Sequence, residues 1–314
     1  MFFTIKESEF LSEWKALIGE LIELCFSVSK IVSPIVNSKS PEGIFPTELV
    51  TMQPDTVNSE QLKNVTPQML LVCCWRSMKE ISLFFGDLVR LLPIEHETLQ
   101  EHSYLLSSAQ VNQIGDYFVQ HLFETRHRGA FELAYIGFTS MCETFWKCRN
   151  GLYCDQTLKW ADHVLNLIQT EESKMKLCST RRGGGLPYFV QAIVSTELVQ
   201  NGRKTLSKCM SVLLKLVETK VDDADEENFS QVLAMYILSA LFKDTRLGED
   251  VLQYAEAALI AAINGFDSVF WNVRNASTLL FSSLINRIFG VNRSKEEISK
   301  KNSQIVLVVI LLLK

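Results

Sequence analysis

Arginine side chains recur along this sequence in a pattern suited to binding phosphate groups. Each of four segments has an Arg, then a small or polar residue, then an apolar stretch; these arginines are Arg76, Arg128, Arg182 and Arg274. Arginine pairs bidentately with phosphate, and every such contact adds salt-sensitive affinity. Further residues of the candidate partner-binding or RNA-binding site lie close by in sequence: Arg126, His127, Arg181, Gly183, Gly184, Gly185, Leu186, Pro187, Lys243 and Arg246.

The same arginines have a structural alternative. In stacked helical repeats, an arginine at a fixed repeat position can hydrogen-bond an acid or a backbone carbonyl of the adjacent repeat. Both interpretations are open for Arg76 and Arg274. The binding interpretation is favoured for the 126–128 cluster and for Arg181 and Arg182, which lie beside an unusual glycine run.

That glycine run, Gly183 to Gly185, could also be read as a phosphate-binding loop. It lacks the Gly-Lys-Ser/Thr ending and the Gly-x-Gly-x-x-Gly spacing, and no clear strand precedes it. We predict instead that these glycines, at the start of a helix, let the backbone approach a neighbouring element or a binding partner closely. Pro187 would then lie in the first turn or two, where its missing N–H costs little.

Residues that could support catalysis or bind a metal form no recognisable set. The acidic run at 222–227 lacks the ligand spacing of a calcium loop and is interpreted as a solvated loop. The eight cysteines include no Cys-x-x-Cys pair and are expected to be mostly reduced and buried. No Gly-rich turn after a strand, as adenosylmethionine-dependent methyltransferases need, is found. We therefore expect no enzyme, no cofactor and no metal.

The elements that would position the arginines are helices. Hydrophobic residues make up 47% of the 314 residues, whereas Gly (14) and Pro (7) are sparse, and this composition favours long helices over short strands. Amphipathic helices alternate with the arginine-containing ones, and they are predicted at 111–125, 156–170, 203–219 and 249–264. The alternation, with repeats of about 50 residues, is typical of an all-α, HEAT/armadillo-like solenoid.

Four segments are predicted along the chain. Residues 1–37 contain an N-terminal amphipathic helix whose apolar stripe needs a neighbour, and 38–66 read as a loop or linker. Residues 67–302 hold the repeats, and 303–314 form an unrelated apolar tail. The tail has nine consecutive apolar residues, about half of the roughly 20 needed to cross a bilayer. Without a recognisable signal peptide, a cytoplasmic location is expected.

Five motifs resemble the thyroid adenoma-associated (THADA) protein family, whose members are much longer armadillo-like solenoids. In order, they are CCWRSMKE (73–80), RHRGAFE (126–132), STRRGGGLP (179–187), ALFKDTRLGE (240–249) and WNVRNASTLLF (271–281). The resemblance covers roughly residues 66–302. The family's Arg-Arg-Ser-Ala-Gly-Leu-Pro stretch reads Arg-Arg-Gly-Gly-Gly-Leu-Pro here, which keeps both arginines but loses a hydroxyl group.

The resemblance implies a function and two partners. It implies a non-catalytic regulatory subunit that helps the catalytic subunit of a ribose 2′-O-methyltransferase modify position 32 of the tRNA anticodon loop. The implied partners are that catalytic subunit and tRNA. The alternative is a HEAT-type protein–protein adaptor with no direct RNA role. Salt-dependent tRNA binding distinguishes the two, because phosphate contacts weaken steeply as salt rises.

Overall fold

A computed structural model describes residues 8–38, 64–95, 104–148, 151–170, 184–218 and 229–290. Within these ranges the chain forms α-helices, and the only β-type pairing is an isolated bridge between Ile94 and Leu106. The helices are α1 (Ser8–Val36), α2 (Pro67–Leu91), α3 (Ser108–Glu124), α4 (Arg128–Lys147), α5 (Gly151–Leu167), α6 (Leu186–Thr196), α7 (Lys204–Glu218), α8 (Phe229–Lys243), α9 (Ala255–Gly265) and α10 (Trp271–Phe289). The predicted all-α class is confirmed.

The chain divides into two compact units. The first comprises Met1–Thr157 and Gly184–Ala192, and the second comprises Leu158–Gly183 and Ile193–Lys314. The four predicted amphipathic helices correspond to α3, α5, α7 and α9, and the arginine-containing segments at 76, 128 and 274 lie in α2, α4 and α10. The predicted alternation of two kinds of helix is therefore observed. The segment boundaries at 38–66 and 303–314 fall largely outside the described residues and stay predictions.

In the first unit, α2 and α4 pack side by side and run in the same direction. Trp75 lies against Gly129 near the start of α4, and Gly86 lies against Gly137 farther along both helices. A Cβ atom on Gly86 would come within 2.5 Å of the Gly137 Cα atom. Because Gly86 and Gly137 have no side chains, α2 and α4 can approach each other this closely.

Helices α1 and α3 cover this pair within the same unit. The Phe26 ring of α1 packs on Phe85 of α2 at 5.1 Å between centroids, and Tyr117 of α3 contacts both rings. The Tyr117 hydroxyl group is 2.9 Å from Ser82 Oγ, so its buried polar end is satisfied. The start of α3 is fixed by a capping box between Ser107 and Gln110.

In the second unit, α8 and α10 also run in the same direction. The hydroxyl groups of Ser239 and Ser283 are 2.6 Å apart. Farther along, Arg287 Nε donates to the Phe242 carbonyl at 2.7 Å. Within each unit, helices two positions apart in the chain thus pack in parallel, as in stacked helical repeats. In the described part of the chain, no helix meets the length and hydropathy of a membrane span.

Candidate partner and nucleic-acid surface

Five residues of α2, the α3–α4 link and the start of α4 form a cationic and aromatic surface in the first unit. The rings of Trp75 and His127 stack with 5.2 Å between centroids and 19° between planes. The Arg76 guanidinium carbon lies 5.8 Å from the Trp75 ring centroid. Together with Arg126 and Arg128, which flank His127 in sequence, these residues are called the α2–α4 patch below. The structure thus brings four of the predicted site residues close together.

The local sequence explains how His127 reaches Trp75. Helix α3 ends at Glu124 and α4 begins at Arg128, so only a short extended link separates them. A Cβ atom on Gly129 would lie 3.2 Å from both the Trp75 and the His127 rings. That distance is shorter than ordinary van der Waals contact, so a side chain at position 129 would crowd both rings. Glycine at this position therefore leaves space for the ring stack.

The two arginine side chains of the patch that extend from helices are exposed to solvent. Arg76 is exposed on α2, and the Arg128 side chain is 75% exposed. Arg128 Nε donates to Glu132 Oε1 at 2.7 Å, and this hydrogen bond raises the pKa of the Arg128 guanidinium. Exposed ion pairs of this kind contribute little to stability, so an incoming phosphate can exchange for the Glu132 carboxylate at small cost.

The described part of the glycine motif packs inward in the first unit. Gly184 has a positive φ of 59°, and a Cβ atom on Gly185 would come within 2.5 Å of the Leu122 carbonyl oxygen. Leu186 and Pro187 are buried in the first turn of α6. The predicted close approach of the glycines is confirmed at Gly185. The remaining motif residues, Arg181, Arg182 and Gly183, lie outside the described residues, and their binding role stays a prediction.

The predicted cations of the second unit have partners within their own chain. Arg274 Nη1 donates to the carbonyls of Ser268 and Val269 at 2.7 and 2.9 Å. Arg246 Nη2 donates to Asp244 Oδ2 at 3.0 Å, and Asp244 is buried. Lys243 is exposed at the end of α8. Of the two roles open for Arg274, these bonds favour the structural one.

Two arginines that the sequence analysis did not single out stabilise the second unit. Arg203 Nη1 donates to the Glu197 carbonyl at 2.6 Å, and its Nε donates to Asp250 Oδ2 at 2.9 Å. Arg287 donates to the carbonyls of Phe242 and Asp244 where α8 ends. Most of these acceptors are backbone carbonyls, which every residue has. No sequence motif therefore predicts such hydrogen bonds.

The cysteine side chains that the structure describes differ in burial. The cysteines are free thiols; Cys74, Cys142 and Cys209 are buried, whereas Cys73 is exposed. Burial raises the pKa of the Cys209 thiol to about 12. Across the described ranges, no three His, Cys, Asp or Glu side chains are placed to hold a metal ion together.

The fold and the α2–α4 patch together define a helical-repeat protein with an exposed cationic and aromatic surface. The family model described as THADA/TRM732, DUF2428, matches residues 16–272, and the model of the Trm732 C-terminal TPR repeats matches residues 274–308. The chain therefore belongs to the THADA/TRM732 family, as the resemblance of its motifs indicated.

Curated relatives from animals and fungi carry related names. The chain is 38% identical over 341 residues to the chicken protein named tRNA (32-2′-O)-methyltransferase regulator THADA, covering 93% of this chain and 18% of the relative. The human protein of that name is 38% identical over 95% of this chain and 18% of its own length. The fission yeast regulator trm732 is 29% identical over 93% of this chain and 19% of its own length. The chain thus spans about a fifth of the length of these relatives. No solved structure matches it.

Proposed function

We propose that this chain acts as a non-catalytic regulatory scaffold in tRNA ribose 2′-O-methylation, directing a separate catalytic subunit to position 32 of the anticodon loop. The observation that carries the proposal is the similarity to proteins named as regulators of that methyltransferase, at 38% identity over 93% of the chain. In this role the chain binds and orients tRNA and the catalytic subunit. The catalytic subunit supplies the chemistry.

The α2–α4 patch supports the RNA-binding half of this function. Arg76 and Arg128 lie on adjacent parallel helices beside the Trp75–His127 stack, so they present two guanidinium groups from one surface. Fixed, exposed cations of this kind can bind phosphate groups of a folded RNA. Holding the tRNA in one orientation would raise the rate of methyl transfer by placing the target ribose at the reacting group, without any catalytic residue in the scaffold.

We propose that Arg181 and Arg182 also contribute to tRNA binding. They directly precede the motif whose Gly185 packs on Leu122 in the first unit. The buried Leu186 and Pro187 anchor the start of α6 in the first unit. Arg246 and Arg274 have hydrogen bonds within the second unit, so we expect each of them to contribute less to tRNA binding.

The test of RNA binding is tRNA affinity measured as a function of salt concentration. An Arg76→Ala/Arg128→Ala variant removes both exposed guanidinium groups of the patch, and the slope of log affinity against log salt should fall by about 2. The matched control is Arg90→Ala, which removes an exposed α2 arginine whose partner is Asp87 on the same helix. The control should keep the wild-type slope.

Two outcomes would contradict the proposed RNA contact. Binding that is absent, or that is indifferent to salt in the wild-type chain, would favour the protein–protein adaptor. An equal loss of slope in the Arg90→Ala control would show that general positive charge, rather than the α2–α4 patch, binds the tRNA.

A further inference from the structure

Helix α1 has two apolar faces, and only one of them is covered by the described helices. Leu11, Ile18, Ile22, Val32 and Ile35 are buried. A second set of large apolar side chains is 37–59% exposed. This set, called the α1 stripe, comprises Phe10, Trp14, Leu17, Leu21, Leu24 and Ile31.

The spacing of the α1 stripe matches that of a helix-docking seam. Its members follow one another at alternating intervals of four and three residues, with Val28 completing the series. This 3.5-residue period keeps a seam facing one partner helix along its whole length. The stripe extends over three heptads, or about 32 Å of helix, which is long enough to hold a partner helix of similar length.

The charges beside the stripe indicate what kind of helix fits. The two exposed residues that directly border the stripe on its free flank, Glu13 and Glu20, are acidic, and farther around this flank Glu23 is accompanied by Lys30. The other cation of the described part of α1, Lys15, is directed to the Tyr104 ring with 3.7 Å between Nζ and the centroid. Charged residues beside a helical seam select partners of opposite sign. We propose that the α1 stripe docks an amphipathic helix of a partner protein whose apolar seam is bordered by Lys or Arg.

The same charges disfavour other occupants. Two copies docked antiparallel with their stripes fully overlapped would bring Glu20 of one copy near Glu20 of the other, and like charges at these positions repel. The opposite border of the seam, which includes Leu11 and Ile18, is buried in its own unit, so a second copy gains no compensating contact there. An anionic membrane surface would be repelled by the acidic flank, since helices that lie in membranes carry cations beside the apolar face. The docking proposal does not depend on the proposed RNA contact.

The experiment uses the full chain and two synthetic four-heptad peptides. Both peptides carry Leu and Ile at the seam; one has Lys at the bordering positions and the other has Glu. The chain should bind the Lys peptide at least tenfold more tightly than the Glu peptide. A Leu17→Asp/Leu24→Asp variant should lose this binding, whereas the control Leu91→Asp, at an exposed leucine of α2, should retain it. A Glu13→Lys/Glu20→Lys variant should shift the preference toward the Glu peptide.

A fluorescence measurement reports on the stripe directly. Trp14 lies in the seam, and its own fluorescence is obtained by subtracting the emission spectrum of the Trp14→Phe variant from that of the wild type. This difference spectrum should shift to shorter wavelength when the Lys peptide binds and covers the Trp14 ring. Three results would overturn the proposal: equal binding of both peptides, a dimer of the chain that the Leu17→Asp/Leu24→Asp variant abolishes, or binding to phosphatidylserine vesicles in place of the peptide. An unchanged Trp14 difference spectrum with bound peptide would overturn it as well.

Discussion

The ring of His127, which directly precedes α4, lies parallel to the ring of Trp75 on α2, with 5.2 Å between centroids. The stack connects α2 to the link between α3 and α4. Because Arg76 follows Trp75 and Arg128 follows His127, this contact sets the spacing of the two exposed guanidinium groups. His127 is thus a positioning residue of the α2–α4 patch.

Substitutions at His127 distinguish the contribution of the ring stack to tRNA binding from the contribution of positive charge. His127→Ala should weaken tRNA binding about threefold to fivefold, because it frees the link that carries Arg126 and Arg128 while leaving both arginines present. His127→Phe keeps an aromatic ring on Trp75 and should bind as the wild type does. Filter binding at fixed salt measures both. Equal losses in the two variants would show that the imidazole itself, rather than the stack, is what matters.

The approach of α2 and α4 can be tested at Gly137. A Cβ atom there would collide with the backbone of Ser82, so Gly137→Ala should lower the free energy of unfolding by about 2 kcal/mol or more. Gly19, inside α1, has only an ordinary contact at 3.7 Å from its ideal Cβ position. Gly19→Ala should therefore raise the free energy of unfolding by about 0.5–1 kcal/mol through helix propensity. Urea denaturation measures both, and a stable Gly137→Ala protein would refute the close approach.

His121 should make the stability of the first unit depend on pH. Burial lowers the pKa of its imidazole from 6.5 to about 4, and its Nδ1 atom is 2.6 Å from Thr125 Oγ1. Between pH 6.5 and 4 the unfolded chain binds a proton that the folded chain does not, so stability falls as pH is lowered through this window. The loss attributable to His121 is about 3 kcal/mol.

The matched variant for this effect is His121→Phe, which keeps a ring stacked on Tyr117 and cannot titrate. Unfolding free energies of both proteins are compared at pH 7 and pH 4.5, so that contributions from other groups cancel. The wild type should lose about 2–3 kcal/mol more than the variant. Identical pH profiles would mean that His121 is already accessible to protons in the folded chain.

The helices were predictable because their apolar periodicity is local. The three- and four-residue spacing in 111–125 or 203–219 depends only on neighbours within one helix, and both helices are observed within a few residues of those bounds. The buried face of α1 was not predictable in this way. Both of its faces are apolar, and only the contacts with α2 and α3 decide which of them is covered.

The site was predictable only in part, for a related reason. Arg76 and Arg128 are recognisable as repeated residues, and the close approach at Gly185 follows from the absence of side chains. The Trp75–His127 stack joins residues far apart in sequence, and Arg287 binds carbonyls that any sequence supplies. Such contacts depend on the register between helices, which local sequence patterns do not specify.

The most direct test of the scaffold function is a reconstituted methylation assay. The catalytic subunit, tRNA and adenosylmethionine are combined with and without this chain, and ribose methylation at position 32 is measured. An Arg181→Ala/Arg182→Ala variant is compared, with its helical content checked by circular dichroism. We predict that the chain accelerates methylation and that this variant loses the acceleration while keeping its helices. Methylation at the same rate with and without the chain, or by the chain alone, would contradict the proposed function.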